Sequence, residues 1–68
     1  MTAATRVRRF RSVEQHHDAD LGRTWLILWD AECSCYTVEL DGDPLDSFDS
    51  LAEARAAVYA HRRAFTED

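Results

Sequence analysis

From Arg23 to Trp29 the chain reads RTWLILW, a short β-branched and aromatic run bounded by HDADLG before it and DAE after it. From Cys33 to Leu40 it reads CSCYTVEL, with side chains of different character at alternate positions. Both are strand patterns, because successive side chains of a strand point to opposite faces. Tyr36, Val38 and Leu40 then share one face, and Cys33, Cys35, Thr37 and Glu39 share the other. A turn of about three residues between the two strands makes an antiparallel hairpin the economical connection. Asp41 to Pro44, DGDP, is a turn by composition, since Gly42 tolerates positive φ and Pro44 has no N–H to donate. A short edge segment, Leu45 to Phe48, can follow it.

Beyond Phe48 the apolar spacing changes from two to three and four. Ser50 to Glu53, SLAE, is a capping box, in which the serine oxygen accepts from the N–H three residues on and the glutamate reaches back. Leu51, Ala54, Val58, His61 and Phe65 form one helical stripe, with Arg62 and Arg63 near the C-terminal end, where positive charge is favoured. At the N-terminus, Val7, Phe10 and Val13 fit a helical stripe, or a strand if one residue is bulged. A strand over about Arg6 to Glu14 is preferred, because arginines along an edge strand blunt its unpaired backbone. The expected fold is a single α+β domain over residues 1–68, with a small antiparallel sheet of three to four strands and one C-terminal helix on one face. The alternative is α-β-β-β-α.

If Tyr36, Val38 and Leu40 face the helix, the pattern places Leu26 and Leu28 beside them and turns Trp25, Ile27 and Trp29 the other way. One helix cannot cover both sides. Either the chain's own N-terminal segment or its 15–22 loop lids the tryptophans, or Trp25 and Trp29 form an apolar anchor for a partner or for a second copy in a homodimer.

Sixty-eight residues bury only about 60% of the surface that the unfolded chain exposes, so the core is lean and association would add to it. Apolar residues make up 46% and charged residues 31%, which is globular rather than disordered composition. The longest apolar run, Trp25 to Trp29, is far below the roughly 18 residues a membrane span needs. No membrane is expected, and without a signal-peptide pattern the expected location is cytoplasmic.

Net charge is −5, but its distribution is uneven. Arg6, Arg8, Arg9 and Arg11 make the first thirteen residues +4. Asp30, Glu32, Glu39, Asp41, Asp43, Asp46, Asp49 and Glu53 follow with no base among them, a local −8. The arginines could line phosphates, with Phe10 to stack on a base, but the acidic segment would repel a phosphate backbone. Spaced carboxylates instead suit a basic groove on another protein, where complementary charge speeds encounter and sets orientation.

Candidate chemistry is sparse. Cys33 and Cys35 are separated by one residue, off the spacing of structural zinc sites, and read as two reduced thiols in a strand even though His16 and His17 lie in a loop that could reach them. His61 sits on the apolar stripe and reads as a half-buried packing residue. There is no Gly-rich phosphate loop and no nucleophile motif, so no catalytic residue, metal or cofactor is expected.

Cys35 to Val58, CYTVELDGDPLDSFDSLAEARAAV, resembles the strand–turn–helix half of HicB-type antitoxins, in which a tyrosine- and valine-bearing strand leads through a turn to a Glu-Ala-rich helix. The chain departs from that family in lacking its Pro-Asp-Leu-Pro-Gly turn, and the resemblance implies fold rather than function. In size and acidity the chain is also similar in kind to small phage-encoded inhibitors such as anti-CRISPR proteins, some of which present acid in place of DNA. The expectation is a non-catalytic inhibitor or adaptor, possible as a nucleic-acid mimic, that engages a larger basic, nucleic-acid-handling protein. Its expected contacts are Asp30, Glu32, Asp41, Asp43, Asp46 and Asp49, with Trp25 or Trp29 beside them. The alternative is a nucleic-acid-binding module using Arg6, Arg8, Arg9 and Arg11.

Overall fold

The computed structural model describes residues 9–66. They form strands β1 (Phe10–Asp18), β2 (Arg23–Asp30), β3 (Cys35–Leu40) and β4 (Asp43–Phe48), followed by helix α1 (Leu51–Thr66). The strands make one antiparallel sheet in chain order, with α1 against one face, so the fold is α+β. The N-terminal piece is therefore a strand and not a helix. It starts and ends about four residues later than the sequence suggests, and the Arg6 to Arg8 part of that expectation lies outside the described residues. Its bulge falls at Val13, between Ser12 and Glu14.

Local chemistry accounts for the turns after β1 and after β3. After β1, Gly22 sits at φ 66 and its N–H donates to the Asp18 carbonyl at 2.9 Å, while the Asp18 carboxylate accepts from the Leu21 N–H at 3.1 Å. This narrows the HDADLG signal to a four-residue turn and frees His16, His17 and Asp18 to pair with β2. Between β3 and β4, Asp41 and Gly42 both have positive φ, 51 and 93, the two-residue geometry whose twist matches a hairpin. β4 therefore begins at Asp43 and takes in Pro44. The proline is tolerated because β4 is an edge and its register shifts beside this point. The Ser50 Oγ accepts from the Glu53 N–H at 3.1 Å, capping α1 as the SLAE pattern predicts.

The core corrects the expected strand faces. Trp25, Ile27 and Trp29 pair with Leu40, Val38 and Tyr36, so these six side chains share the helix face, and Leu26 and Leu28 take the other. Asp30 pairs with Cys35 across a four-residue connection, an odd shift from the register a three-residue turn implies, and any odd shift exchanges the two faces of a strand. Trp25, Ile27, Val38, Ala54 and Val58 are essentially inaccessible to solvent. Burying a side chain the size of Ile27, Val38 or Val58 contributes about 1.5–3 kcal/mol.

Trp25 lies under the C-terminal half of α1. Its Nε1–H donates to His61 Nδ1 at 3.1 Å, and its ring meets the edge of Phe65 at 5.9 Å. The helical stripe thus supplies both the apolar cover and the acceptor that a buried indole requires. His61 is half-buried, as its place on that stripe predicts. Among the described residues, every buried polar side-chain atom has a partner, and no helix is long and apolar enough to cross a membrane.

Candidate functional site

The β1 flank is where charge is consumed within the fold. Glu14 accepts from Arg55 Nε at 2.9 Å and pairs with Arg55 Nη2 as well, and His16 Nε2 lies 3.0 Å from its other oxygen. Asp18 accepts from Arg62 Nη2 at 2.9 Å. The Arg55 hydrogen bonds, with help from His16, hold the Glu14 carboxyl at about 2, well below its ordinary 4.5. Arg62, and then the Leu21 N–H, lower Asp18 in the same direction. A small pocket of about 140 Å³ lies here between β1 and α1, lined by His16, Arg55, Val58, Tyr59 and Arg62. Each guanidinium in its wall already faces a carboxylate.

Half of the acidic residues singled out from the sequence are used in the same way. Asp30 is only 4% exposed. It accepts from Arg9 Nε at 3.1 Å and Nη2 at 3.3 Å, and from the Glu32 N–H at 3.0 Å. The Arg9 hydrogen bond leads the causes that lower its pKa. Arg9 Nη2 also lies 3.0 Å from Glu32. Asp41 accepts from the Thr24 N–H at 3.0 Å and from Arg23 Nη1 at 3.2 Å. Asp30, Glu32 and Asp41 are therefore fastened to arginines. Arg9, one of the four arginines considered for phosphate contact, is occupied by two carboxylates. Arg11 is exposed on β1, whereas Arg6 and Arg8 lie outside the described residues.

The opposite edge is different. Asp43, Asp46, Asp49 and Glu53 are all exposed, and none takes part in an ion pair among the described residues. The register places Asp46 opposite Val38 and Phe48 opposite Tyr36, so both stand on the helix side of the sheet. Trp29, Tyr36 and Phe48 then form a half-buried aromatic row across β2, β3 and β4, with Trp29 and Tyr36 edge to face at 5.0 Å. The row ends at an open groove of roughly 490 Å³ lined by Ser47, Phe48, Asp49, Glu53, Ala56 and Ala57. Its floor is apolar and its rim acidic.

Trp29 thus lies in the row that leads to the carboxylates, whereas Trp25 is 0% exposed beneath α1 and is not the exposed anchor expected of it. Nothing local in the sequence joins Tyr36 and Phe48 to Trp29; the register brings them beside it. Glu53 counts in the sequence as a cap and as the last carboxylate of the acidic run; the signal that places it at the groove is its helical spacing from Ala56 and Ala57.

The cysteines are also corrected. Cys33 and Cys35 are joined by a disulfide rather than reduced, with their Cα atoms 5.4 Å apart. Ser34 sits in the left-handed region at φ 55, which folds the chain back enough to bring its neighbours within disulfide reach. His16 and His17 do not approach them. They pair with Trp25 and Thr24, near the other end of β2 from the Asp30–Cys35 pair, about 17 Å away at strand spacing. Asp30 is the side chain that does come close, with a carboxylate oxygen within 4.8 Å of both sulfurs.

The chain matches no protein-family model, no curated protein and no solved structure.

Proposed function

We propose that this protein is a non-catalytic inhibitor or adaptor that binds a basic surface of a larger protein through its β4 edge. The observation that carries this reading is the segregation of its acids. The carboxylates of β1 and of the β2 ends are neutralised internally, while Asp43, Asp46, Asp49 and Glu53 have no cation among the described residues; Asp49 and Glu53 line the apolar groove at Phe48, and Asp43 and Asp46 continue the acidic edge along β4. Unpaired charge of one sign around an apolar floor suits a cationic, partly aliphatic ligand such as an arginine- or lysine-bearing segment. Proteins that handle nucleic acid carry such surfaces, and a row of carboxylates can stand in for a phosphate backbone. Asp30, Glu32 and Asp41 play a lesser part than the sequence alone suggests, and Trp29 supplies apolar contact through the row it shares with Tyr36 and Phe48.

Binding of an arginine-rich peptide, followed by titration calorimetry at two salt concentrations, tests this reading. Affinity should fall as salt rises, and Asp46→Asn, Asp49→Asn and Glu53→Gln together should abolish it. Affinity that ignores salt, or that survives the triple substitution, overturns it. The rival reading, nucleic-acid binding through the N-terminal arginines, is weakened by the engagement of Arg9 with Asp30 and Glu32. Retardation of duplex or single-stranded DNA or RNA that is lost in Arg8→Ala and Arg9→Ala would restore it.

A further inference from the structure

The Cys33–Cys35 bond closes a loop of three residues. A cross-link stabilises a fold largely by restricting the unfolded chain, and the restriction grows with the length of loop closed, so a loop this short contributes very little. The backbone around it is held by other means. The Ala31 N–H donates to the Arg9 carbonyl at 2.8 Å, the Glu32 N–H donates to Asp30, and β3 begins its pairing at Cys35. The bond staples nothing that the hairpin does not already hold.

The two sulfurs are unequal. Cys33 is exposed in the turn, whereas Cys35 is 8% exposed in the strand. Between them Ser34 is kept in the left-handed region, which a residue with a Cβ enters only at a cost and can leave once the ring is open. An accessible disulfide with no stapling role and a strained residue inside its ring belongs to the exchangeable class rather than the structural one.

We propose that Cys33–Cys35 is a reversible thiol–disulfide exchange site whose co-reactant is a small thiol of the glutathione class, with the Cys33 sulfur as the point of attack. The thiolate of the small thiol attacks Cys33 Sγ. A mixed disulfide forms there as the Cys33–Cys35 bond breaks, and Cys35 leaves as a thiolate that takes a proton from water. A second small thiolate then attacks the sulfur of the first, releasing the small-molecule disulfide and the Cys33 thiolate, which is protonated in turn. Two small thiols are oxidised and one protein disulfide is reduced, and an excess of the small disulfide reverses both steps.

The test equilibrates the full chain in buffers of reduced and oxidised glutathione, with a chelator present so that no cation held by Asp30 and the two thiols masks the exchange. Samples are quenched with acid, alkylated and weighed, and circular dichroism follows the fold. The expected result is a two-electron passage from disulfide to dithiol within the glutathione range, with the fold retained and the bond re-formed on reoxidation. A chain that stays disulfide-bonded until it unfolds, that melts on reduction, or that never re-forms the bond overturns the proposal. The variants test the asymmetry. Cys35→Ser should take up glutathione from its disulfide roughly tenfold faster or more than Cys33→Ser, because a thiol reacts through its accessible thiolate. Equal rates would remove Cys33 from its role.

Discussion

The two long edges of the sheet use the same kind of residue for opposite purposes. Along β1, Glu14 and Asp18 are carboxylates in a half-buried setting, and each is met by an arginine of α1 that lies 41 or 44 residues further on. Along β4, Asp43, Asp46 and Asp49 are carboxylates at the surface, and no cation comes to them among the described residues. The sequence is acidic at both places, so acidity alone does not distinguish a structural charge from an available one. The difference lies in where α1 crosses. It starts beside Phe48 at the β4 edge and ends over Trp25 and Asp18, carrying Arg55 and Arg62 towards β1.

The largest expected effect is on the β1 side, where the helix end is fastened. Trp25→Ala removes a fully buried indole and its hydrogen bond to His61, a loss of about 3–5 kcal/mol. A core of this size supplies only about that much in all, so chemical denaturation should find the variant largely unfolded at room temperature. A folded variant would mean that the flank is held chiefly by its ion pairs.

Acid tests those pairs directly. Glu14, Asp18 and Asp30 all have folded pKa values below their unfolded ones, so their contribution is fully present above the ordinary carboxylate range. It is lost as protons are taken up between about 4.5 and about 2, the limits set by Glu14. Melting temperature should therefore fall steeply across that window. In Arg55→Ala, which removes the first cause of the Glu14 shift, melting should begin lower at neutral pH and decline less across the window.

At the other end of the helix, Ser50→Ala removes the acceptor for the Glu53 N–H and should cost about 1 kcal/mol by denaturant titration. Here the serine half of the capping box was legible, because a cap is a relation between residues three apart, although no return bond from the Glu53 carboxylate forms among the described residues. The Asp-Gly turn was legible for the same reason, and so was the strand rhythm of β2 and β3. The pairing of their faces was not. It depends on one register step set by the length of the Ala31–Ser34 connection, which no local pattern specifies. Nor could the chain show that Asp30 and Asp41 are occupied, since Arg9 and Arg23 lie 21 and 18 residues before them. Of the acidic contacts, those the sequence could not sort were the ones tied by long-range partners. The disulfide escaped because it depends on a left-handed Ser34, a backbone state for which serine is a poor signal.

The smallest effect on stability is expected where the proposed function is concentrated. Asp43→Asn, Asp46→Asn and Asp49→Asn each alter an exposed carboxylate that takes part in no ion pair among the described residues, and such surface changes usually stay within about 0.5 kcal/mol. Removing negative charge from an edge that holds only negative charge also relieves repulsion, so their combined melting temperature should equal or slightly exceed that of the parent. Asp46 is the most informative of the three. Its Oδ1 accepts from the neighbouring Ser47 N–H at 2.8 Å, and an asparagine oxygen can accept the same bond. The substitution therefore keeps the local geometry and deletes only the charge. A variant that keeps its stability but loses a salt-sensitive ligand would separate the two edges as structural and available charge. One that melts substantially earlier would show that the β4 carboxylates, like those of β1, serve the fold.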